Sequence, residues 1–203
     1  MLIKICGITK IQEIKILNEE KPDFAGFVFA ESKRKVDIAK AKNLISSLDK
    51  NIKTVGVFRN NTMDYILKVL DNVKLDIVQL HGDENNDFIN ELKTKVKCTI
   101  WKAFSIKSQE DIDIIKRCPV DTILLDGSNP GSGKTFRWEC FDNLDINKNI
   151  IIAGGINEDN VLDAIKTFNP FAIDMSSSIE AIDDKGNRIK DKEKIHRIIN
   201  KVR

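Results

Sequence analysis

Two side chains that could move protons stand at the ends of short apolar segments. Cys6 follows Leu2–Ile5, and Asp126 follows Ile123–Leu125. A cysteine acts as a base through its thiolate, so its reference pKa of about 8.5 must be lowered or its proton passed on. An aspartic acid serves as an acid near neutral pH only where burial raises its pKa well above about 3.9. Together they could act as base and acid on opposite sides of one small substrate.

Both residues also have a purely structural interpretation. A single cysteine at the end of a strand is commonly a small buried hydrophobe. An aspartate in the same position often caps a loop or a helix. The residue types alone therefore leave packing open as an alternative to catalysis.

Two segments rich in glycine or serine suggest a phosphate site. Gly154 and Gly155 follow an apolar segment and precede a helical one, and Ser176, Ser177 and Ser178 precede a short turn that carries Glu180. Backbone N–H groups in such loops bind anions, and barrel enzymes commonly build phosphate sites from their last two loops. A tight turn would explain one such segment, but the presence of two such segments in adjacent loops favours a phosphate-binding site.

The remaining candidates are one cation and three polar side chains. Arg34 lies in a charged segment and is the best cation for a substrate carboxylate, although such a segment could also be a solvated loop. Gln79, His81 and Asp174 stand at two further predicted strand ends, and we include them as substrate-binding candidates. His81 could be a ligand, a base or a simple polar residue. The second histidine, His196, is remote in sequence, so no histidine-based metal centre is predicted.

Residues 129–135 only partly match a nucleotide-binding P-loop. The segment reads Asn-Pro-Gly-Ser-Gly-Lys-Thr, and the motif would need glycine where this chain has Ser128. No clear long helical pattern follows it. We predict a flexible lid over the site at this point instead of a site for a nucleoside triphosphate.

The apolar periodicity indicates which elements position these residues. Strands are predicted at Leu2–Cys6, Phe24–Phe29, Lys53–Phe58, Asp76–Leu80, Thr99–Ala103, Asp121–Asp126, Asn149–Ala153 and Phe171–Asp174. Amphipathic helices are predicted at Ile11–Glu19, Ile38–Leu48, Met63–Leu70, Asp87–Val96, Glu110–Lys116, Asn160–Phe168 and Asp191–Val202. Successive strands start 22 to 29 residues apart, which is room for one strand and its crossover helix. Eight such units predict a minimal (β/α)8 TIM barrel, and an open doubly wound sheet is the rival.

The barrel prediction places the chemistry at the carboxyl ends of the strands. Ile3 and Ile5 share one face of the first strand and suit the helix layer, so Lys4 and Cys6 face the barrel interior. The first and sixth strands are three places apart in a ring of eight. Cys6 and Asp126 are therefore predicted to face each other across the mouth of the barrel.

Composition limits the function classes. The chain has 203 residues and no Gly/Ser/Pro-rich linker, so we predict a single (β/α)8 barrel domain over residues 1–203. Its 33 Lys and Arg against 31 Asp and Glu give a net charge of +2, which argues against a nucleic-acid binder with a broad basic field. No apolar run approaches the roughly 20 residues of a membrane helix. The four cysteines form no C-x-x-C pair, and we expect a cytoplasmic protein with reduced thiols and no obligate protein partner.

An ordered set of motifs resembles the phosphoribosylanthranilate isomerases of tryptophan biosynthesis, from residue 3 to the last helix. The set comprises Lys4-Ile5-Cys6-Gly7-Ile8-Thr9, Gly26-Phe27-Val28-Phe29, Ser32-Lys33-Arg34, Val55-Gly56-Val57-Phe58, Gln79-Leu80-His81-Gly82-Asp83-Glu84, Leu125-Asp126, Gly131-Ser132-Gly133-Lys134-Thr135-Phe136, Ala153-Gly154-Gly155-Ile156, Asp174-Met175-Ser176-Ser177 and Lys190-Asp191. The resemblance implies a (β/α)8 barrel that performs an Amadori rearrangement on a small phosphorylated substrate without cofactor or metal.

The resemblance also implies a role for individual residues. Asp126 matches the general acid that protonates the ribose ring oxygen, and Cys6 matches the general base that removes the C2 proton. Arg34 matches the position that holds the anthranilate carboxylate, and the two loops after the seventh and eighth strands match the phosphate site. The rivals are another phosphate-binding barrel, such as an aminoaldose isomerase of histidine biosynthesis or indole-glycerol-phosphate synthase, and a catalytically silent barrel that binds a phosphorylated metabolite.

Overall fold

The computed structural model describes residues 1–105, 109–127 and 146–203, and the side chains of residues 109 and 110 are not described. Eight parallel strands close into a barrel, in which β8 returns to pair with β1. The strands are β1 (Leu2–Cys6), β2 (Phe24–Val28), β3 (Lys53–Phe58), β4 (Ile77–Leu80), β5 (Thr99–Phe104), β6 (Thr122–Asp126), β7 (Asn149–Ala153) and β8 (Ala172–Met175). The predicted (β/α)8 fold is confirmed, and closure of the ring excludes the open sheet. The predicted lid at residues 129–135 lies outside the described residues.

Seven α-helices lie in the described ranges. They are α1 (Ile11–Glu20), α2 (Ile38–Ser46), α3 (Met63–Asn72), α4 (Asn86–Lys95), α5 (Gln109–Arg117), α6 (Val161–Phe168) and α7 (Lys192–Val202). Four of them begin after a side chain that accepts a hydrogen bond from the backbone N–H three residues on, namely Asp37, Thr62, Asn85 and Asp191. Helix α2 ends two residues earlier than predicted, because the Ser47 N–H turns back to the Leu44 carbonyl and tightens the last turn.

Alternate residues of each strand pack on opposite sides of the barrel wall. In β1, Ile3 and Ile5 are fully buried in the outer core against the helices, whereas Leu2 and Cys6 border the core inside the barrel. Burying one such isoleucine contributes roughly 1.5–3 kcal/mol. A register shift of one residue would exchange the two faces, so this burial fixes the strand orientation. The predicted inward orientation of Cys6 is confirmed.

The eighth strand is displaced by one residue from the predicted Phe171–Asp174. Phe171 donates its N–H to the Ile150 carbonyl before the ladder with β1 begins. At the other end, Met175 pairs with Ile5 and extends the strand. The bounds of β8 are set by its pairing with β1, which is distant in sequence, and the local apolar pattern does not predict such pairing.

A small hairpin after β8 was not predicted from the sequence. A short 3-10 helix at Ser177–Ile179 leads into β9 (Glu180–Ile182), which pairs antiparallel with β10 (Arg188–Lys190). The turn between them contains Gly186 at φ 77°, in the left-handed region that favours glycine. An Asp-Lys-Gly-Asn turn sequence was therefore the available signal. No helix in the described ranges is long and apolar enough to cross a membrane.

Candidate active site

The carboxyl ends of the strands surround a cavity of about 370 Å³. This volume lies within the roughly 300–1,000 Å³ that small-molecule sites occupy. Every residue that the sequence nominated for catalysis or substrate binding lines it: Cys6, Arg34, Gln79, His81, Asp126, Gly154, Gly155, Asp174, Ser176, Ser177 and Ser178. Arg59 also lines the cavity and was missed, although its place directly after the third strand was a signal. The structure thus brings the nominated residues together, while their individual roles stay predictions.

Cys6 reaches the cavity from the last position of β1, where it pairs with Gly26 on β2. The chain then turns at Gly7, which has φ 84°. The Gly7 and Ile8 N–H groups both donate to the Gly26 carbonyl, at 2.9 and 3.0 Å. The Ser176 hydroxyl donates to the Cys6 carbonyl at 3.1 Å. The backbone that carries the thiol is therefore held from both neighbouring strands.

A buried ion pair lies beneath the thiol, inside the barrel. The Lys4 Nζ donates to the Asp174 Oδ2 at 2.9 Å, and the Lys4 side chain is fully buried. Burial disfavours the charged lysine, but Asp174 and Cys6 outweigh that effect and raise the pKa of Lys4. Burial also raises the pKa of Asp174, which Lys4 opposes. Lys4 therefore supplies a positive charge below the site. Its inward orientation was predicted from the strand pattern, but no role was predicted for it.

The electrostatic surroundings of Cys6 combine opposing influences. Burial raises the pKa of the Cys6 thiol, and the positive charge of Lys4 opposes this increase. Asp174 adds to the increase, and Lys190 opposes it. Because burial prevails, the thiol form is favoured, and a thiolate formed there is a stronger base than an exposed one.

His81 links Gln79 to Asp126. The Gln79 Nε2 lies 3.0 Å from the His81 Nδ1, and the His81 Nε2 lies 3.3 Å from the Asp126 Oδ2. With the Gln79 amide nitrogen as donor, the His81 Nδ1 accepts, and this hydrogen bond assigns the imidazole proton to Nε2, facing the carboxylate. His81 is thus a partner of the candidate acid, and Gln79 sets its tautomer.

The loop that carries His81 is anchored by a buried lysine that the sequence analysis missed. The Lys102 Nζ donates to the Gly82 carbonyl at 2.6 Å and lies 3.3 Å from the Glu84 Oε2. The Glu84 carboxylate accepts from the Gly82 N–H at 2.9 Å and from the Asn60 N–H at 2.8 Å. A lysine in the middle of a predicted strand was the available signal.

The two candidate phosphate loops lie side by side after β7 and β8. Gly154 and Gly155 have φ 88° and 75°, and a Cβ at Gly155 would meet no atom within 4 Å. Both glycines are thus required by backbone conformation, and Gly155 also leaves open space beside the loop. The Asn157 Oδ1 accepts from the Asp159 and Asn160 N–H groups, so it caps the turn before α6, although the helix itself begins at Val161.

Arg34 lines the cavity but is already paired with a carboxylate. Its Nε and Nη2 donate to the Glu180 Oε1 and Oε2 at 2.6 and 2.7 Å. Burial alone would raise the pKa of Glu180, but hydrogen bonds and charge from Arg34 and Lys190 lower it to about 2. The side chain of Arg34 also passes directly over Gly7, where a Cβ would collide with the Arg34 Cδ.

The arrangement can be compared with known proteins. A family model for N-(5'-phosphoribosyl)anthranilate isomerase matches residues 3–201.

The chain belongs to this family.

Among relatives within the phosphoribosylanthranilate isomerase family, the N-(5'-phosphoribosyl)anthranilate isomerase of Thermoanaerobacter sp. (strain X514) is 43% identical over 205 residues, which cover 99% of this chain and 97% of the relative. The crystal structure of phosphoribosyl anthranilate isomerase from Thermotoga maritima is 34% identical, with a TM-score of 0.88 over 98% of this chain and 97% of that one. Both the sequence and the fold of this isomerase family thus extend over nearly the whole chain.

A further solved structure bears on the ligand of the family. It is a phosphoribosyl anthranilate isomerase in complex with reduced 1-(o-carboxyphenylamino)-1-deoxyribulose 5-phosphate, 31% identical to this chain. Its TM-score is 0.81, over 98% of this chain and 97% of that one. As a member of the phosphoribosylanthranilate isomerase family, this chain is an enzyme of the isomerase class.

Proposed function

We propose that this enzyme converts N-(5'-phosphoribosyl)anthranilate into 1-(2-carboxyphenylamino)-1-deoxyribulose 5-phosphate in L-tryptophan biosynthesis, with Asp126 as general acid and Cys6 as general base. One observation carries the assignment of residues: both side chains line one cavity together with a candidate carboxylate site and a candidate phosphate site. The related isomerase that binds a reduced form of the product supports the choice of substrate. We also propose that residues 1–203 form a single (β/α)8 barrel domain, and that the enzyme acts on this small metabolite in the cytoplasm.

The rearrangement needs one proton delivered and one removed. Asp126 protonates the ribose ring oxygen, so the C1–O bond breaks and the nitrogen lone pair forms the C1=N bond of a Schiff base. The Cys6 thiolate then removes the C2 proton, the electron pair of the C2–H bond forms the C1=C2 bond of an enolamine, and the π pair of the C1=N bond returns to the nitrogen. Tautomerisation of the enolamine protonates C1 and gives the C2 ketone. The reaction is an isomerisation, so it requires no external oxidant or reductant.

The neighbours of each group support this division of roles. Lys4 places a positive charge below Cys6, which favours the thiolate at the moment when the C2 proton must be taken. The His81 Nε2 lies 3.3 Å from the Asp126 Oδ2, and in our proposal it orients the carboxyl group for proton delivery. General acid and base groups of this kind contribute about 10²- to 10⁴-fold to a rate.

Two buried acceptor atoms support a place for the sugar. The Gln79 Oε1 and the Asp174 Oδ1 are buried without a hydrogen-bond partner in the described part of the chain, and both residues line the cavity. An unsatisfied buried acceptor costs roughly 1–3 kcal/mol, which a donor on a ligand would recover. Ribose hydroxyls are such donors. Gln79 and Asp174 therefore bind the sugar in our proposal, between the phosphate and the aromatic ring.

The ends of the substrate are anionic and meet separate groups. The phosphate lies against backbone N–H groups of the loop at Gly154 and Gly155 and of the turn at Ser176–Ser178, which approach it without a bulky side chain at Gly155. The anthranilate carboxylate lies against Arg34, whose planar guanidinium suits a carboxylate. The protein, whose net charge is only +2, thus recognises an anionic substrate through a few groups in the cavity and needs no broad basic surface.

Turnover of phosphoribosylanthranilate, followed by the loss of its fluorescence, tests the proposal. We expect wild-type turnover, and a decrease of at least about a hundredfold in kcat for Cys6→Ala and Asp126→Asn. Cys98→Ala serves as the matched control, because Cys98 is remote from the cavity lining. Absence of wild-type turnover would contradict the function. Unchanged turnover in both variants would contradict the roles of Cys6 and Asp126, but it would not contradict the proposed substrate.

A further inference from the structure

Glu180 forms an ion-pair network with three cations, one of which, Arg34, lines the cavity. Each of its carboxylate oxygens accepts from Arg34 and lies near one further cation: Oε1 accepts from the Lys190 Nζ at 2.9 Å, and Oε2 accepts from the Arg188 Nη1 at 3.4 Å. Its side chain is only 8% exposed. Three cations therefore surround one carboxylate, and the group as a whole keeps a positive charge.

The backbone around Glu180 is rigidly connected to the loops of the site. Glu180 and Lys190 are directly paired residues of the β9–β10 hairpin. The Lys190 Nζ donates to the Ser176 carbonyl at 3.0 Å, and its N–H donates to the Glu13 Oε1 at 3.0 Å. Glu13 in turn accepts from the Thr9 and Lys10 N–H groups, just beyond Cys6 and Gly7. Glu180 is therefore fixed relative to the loops after β1 and β8.

In the described part of the chain, Arg34, unlike Glu180, is not fixed by such a network of backbone contacts. It lies in a mostly exposed segment, and its side chain is 22% exposed. A free arginine side chain samples many rotamers, and this freedom would be lost when it orders on a ligand. The two parallel hydrogen bonds to Glu180 fix the plane of the guanidinium beforehand. Of its five N–H donors, three remain after these two bonds.

We propose that Glu180 is a positioning residue, which holds the guanidinium of Arg34 in the plane and place where it binds the carboxylate of the substrate. The inference rests on the proposed function, because it assumes that Arg34 meets this carboxylate. Glu180 itself is an anion and would repel the substrate. Its place beside the site is explained by the surplus of cations around it and by the preorganisation of Arg34.

Two ligands separate positioning from a general structural role. One is reduced 1-(o-carboxyphenylamino)-1-deoxyribulose 5-phosphate, and the other is the same compound made from aniline, which lacks the carboxylate. Calorimetry gives the Kd of each for wild type, Glu180→Gln and Arg34→Ala. We expect Glu180→Gln to weaken the first ligand about tenfold and to leave the second within about twofold. In turnover, KM should rise more than kcat falls.

A double-variant cycle tests whether Glu180 acts through Arg34. In the Arg34→Ala background, Glu180→Gln should have no further effect on the Kd of the carboxylate ligand. Because Glu180→Gln leaves Lys190 buried beside a neutral group, Glu180→Gln with Lys190→Met serves as a second variant that removes both charges. It should show the same loss of preference for the carboxylate ligand.

Asp183→Asn is the matched control, because Asp183 accepts hydrogen bonds within the turn of the same hairpin and from the Lys10 Nζ, away from Arg34. It should leave both Kd values unchanged. Equal weakening of both ligands by Glu180→Gln, or full retention of the preference, would overturn the positioning role. Failure of the wild type to bind either ligand, or to prefer the carboxylate ligand, would instead contradict the proposed function.

Discussion

A Cβ atom at Gly26 would lie 2.8 Å from the Sγ of Cys6. It would also lie 3.1 and 3.2 Å from the Cys6 Cα and Cβ. Real Cβ atoms essentially never come within 3.0 Å of another atom, so any side chain at Gly26 would displace the thiol or the strand. Gly26 therefore leaves the space that Cys6 occupies at the cavity.

Gly26→Ala should accordingly reduce turnover more than it reduces stability. The added methyl group forces the Cys6 side chain from its place, and overpacking of this kind costs about 1–3 kcal/mol of unfolding free energy. A displacement of about 1 Å near reacting atoms can cost about a hundredfold in rate. We expect kcat to fall at least about tenfold while the protein stays folded, as measured by turnover and urea unfolding.

Gly56→Ala is the control for this prediction. A Cβ at Gly56 would collide with the Leu75 Cδ1 and approach the Phe58 Cε2, in the outer core away from the thiol. It should lower the unfolding free energy by a similar amount with little change in kcat of the folded fraction. Equal kcat values in the two alanine variants would show that Gly26 has no particular relation to the catalytic thiol.

The reactivity of Cys6 should depend on pH in a defined direction. Burial raises the pKa of its thiol, so the thiolate fraction is small at neutral pH and grows as pH rises. We expect the iodoacetamide alkylation rate of Cys6 to keep rising beyond about pH 8.5, the ordinary thiol pKa. Mass spectrometry of the Cys6 peptide measures it, with an unstructured cysteine peptide as reference. A rate that is already maximal below that pH would contradict the raised pKa.

Glu180 should stabilise the fold against acid. Its pKa falls from 4.5 to about 2 on folding, so the sign is that of a lowered carboxylate pKa. The stabilisation is fully present above pH 4.5 and is lost as pH falls towards about 2. At about 1.4 kcal/mol per pKa unit, the contribution is about 3 kcal/mol at neutral pH.

Urea unfolding between neutral pH and about pH 3 measures this contribution. Glu180→Gln should lower the unfolding free energy at neutral pH by about 3 kcal/mol, and should unfold with a flatter dependence on pH below 4.5. Glu158→Gln, which removes an exposed ion pair with Arg197, should keep the wild-type dependence. An identical pH dependence of the unfolding free energy for wild type and Glu180→Gln would contradict the lowered pKa of Glu180.

Much of the architecture was predictable because it follows from local sequence patterns, namely the alternation of apolar residues and the spacing of strands. The alternation of Ile3 and Ile5 with Lys4 and Cys6 sets which face of β1 is buried in the helix layer, and spacing supplies one crossover per strand. Parallel strands in a barrel have their carboxyl ends on one side. The residues at those ends therefore had to surround one mouth, and the nominated residues do line one cavity.

The relationships within that cavity were not in the local pattern. Glu180 and Arg34 are 146 residues apart, and Lys4 and Asp174 are 170 apart. Each of these residues, read alone, is an ordinary charged residue in a strand or loop. The hairpin that carries Glu180 has strands of three residues, too short for a clear periodic signal.

The sequence by itself determined the succession of eight strands, the inward face of Cys6 and most of the residues at the mouth of the barrel, because apolar periodicity and strand spacing are local properties. Closure of the ring, which excludes the open sheet, was decided by the pairing of β8 with β1. Only the tertiary structure decided that Arg34 is held by Glu180, that Lys4 lies beneath the thiol with Asp174, and that burial raises the pKa of Cys6. Charge interactions and desolvation depend on distances in space, and these exist only once the ring of strands has closed.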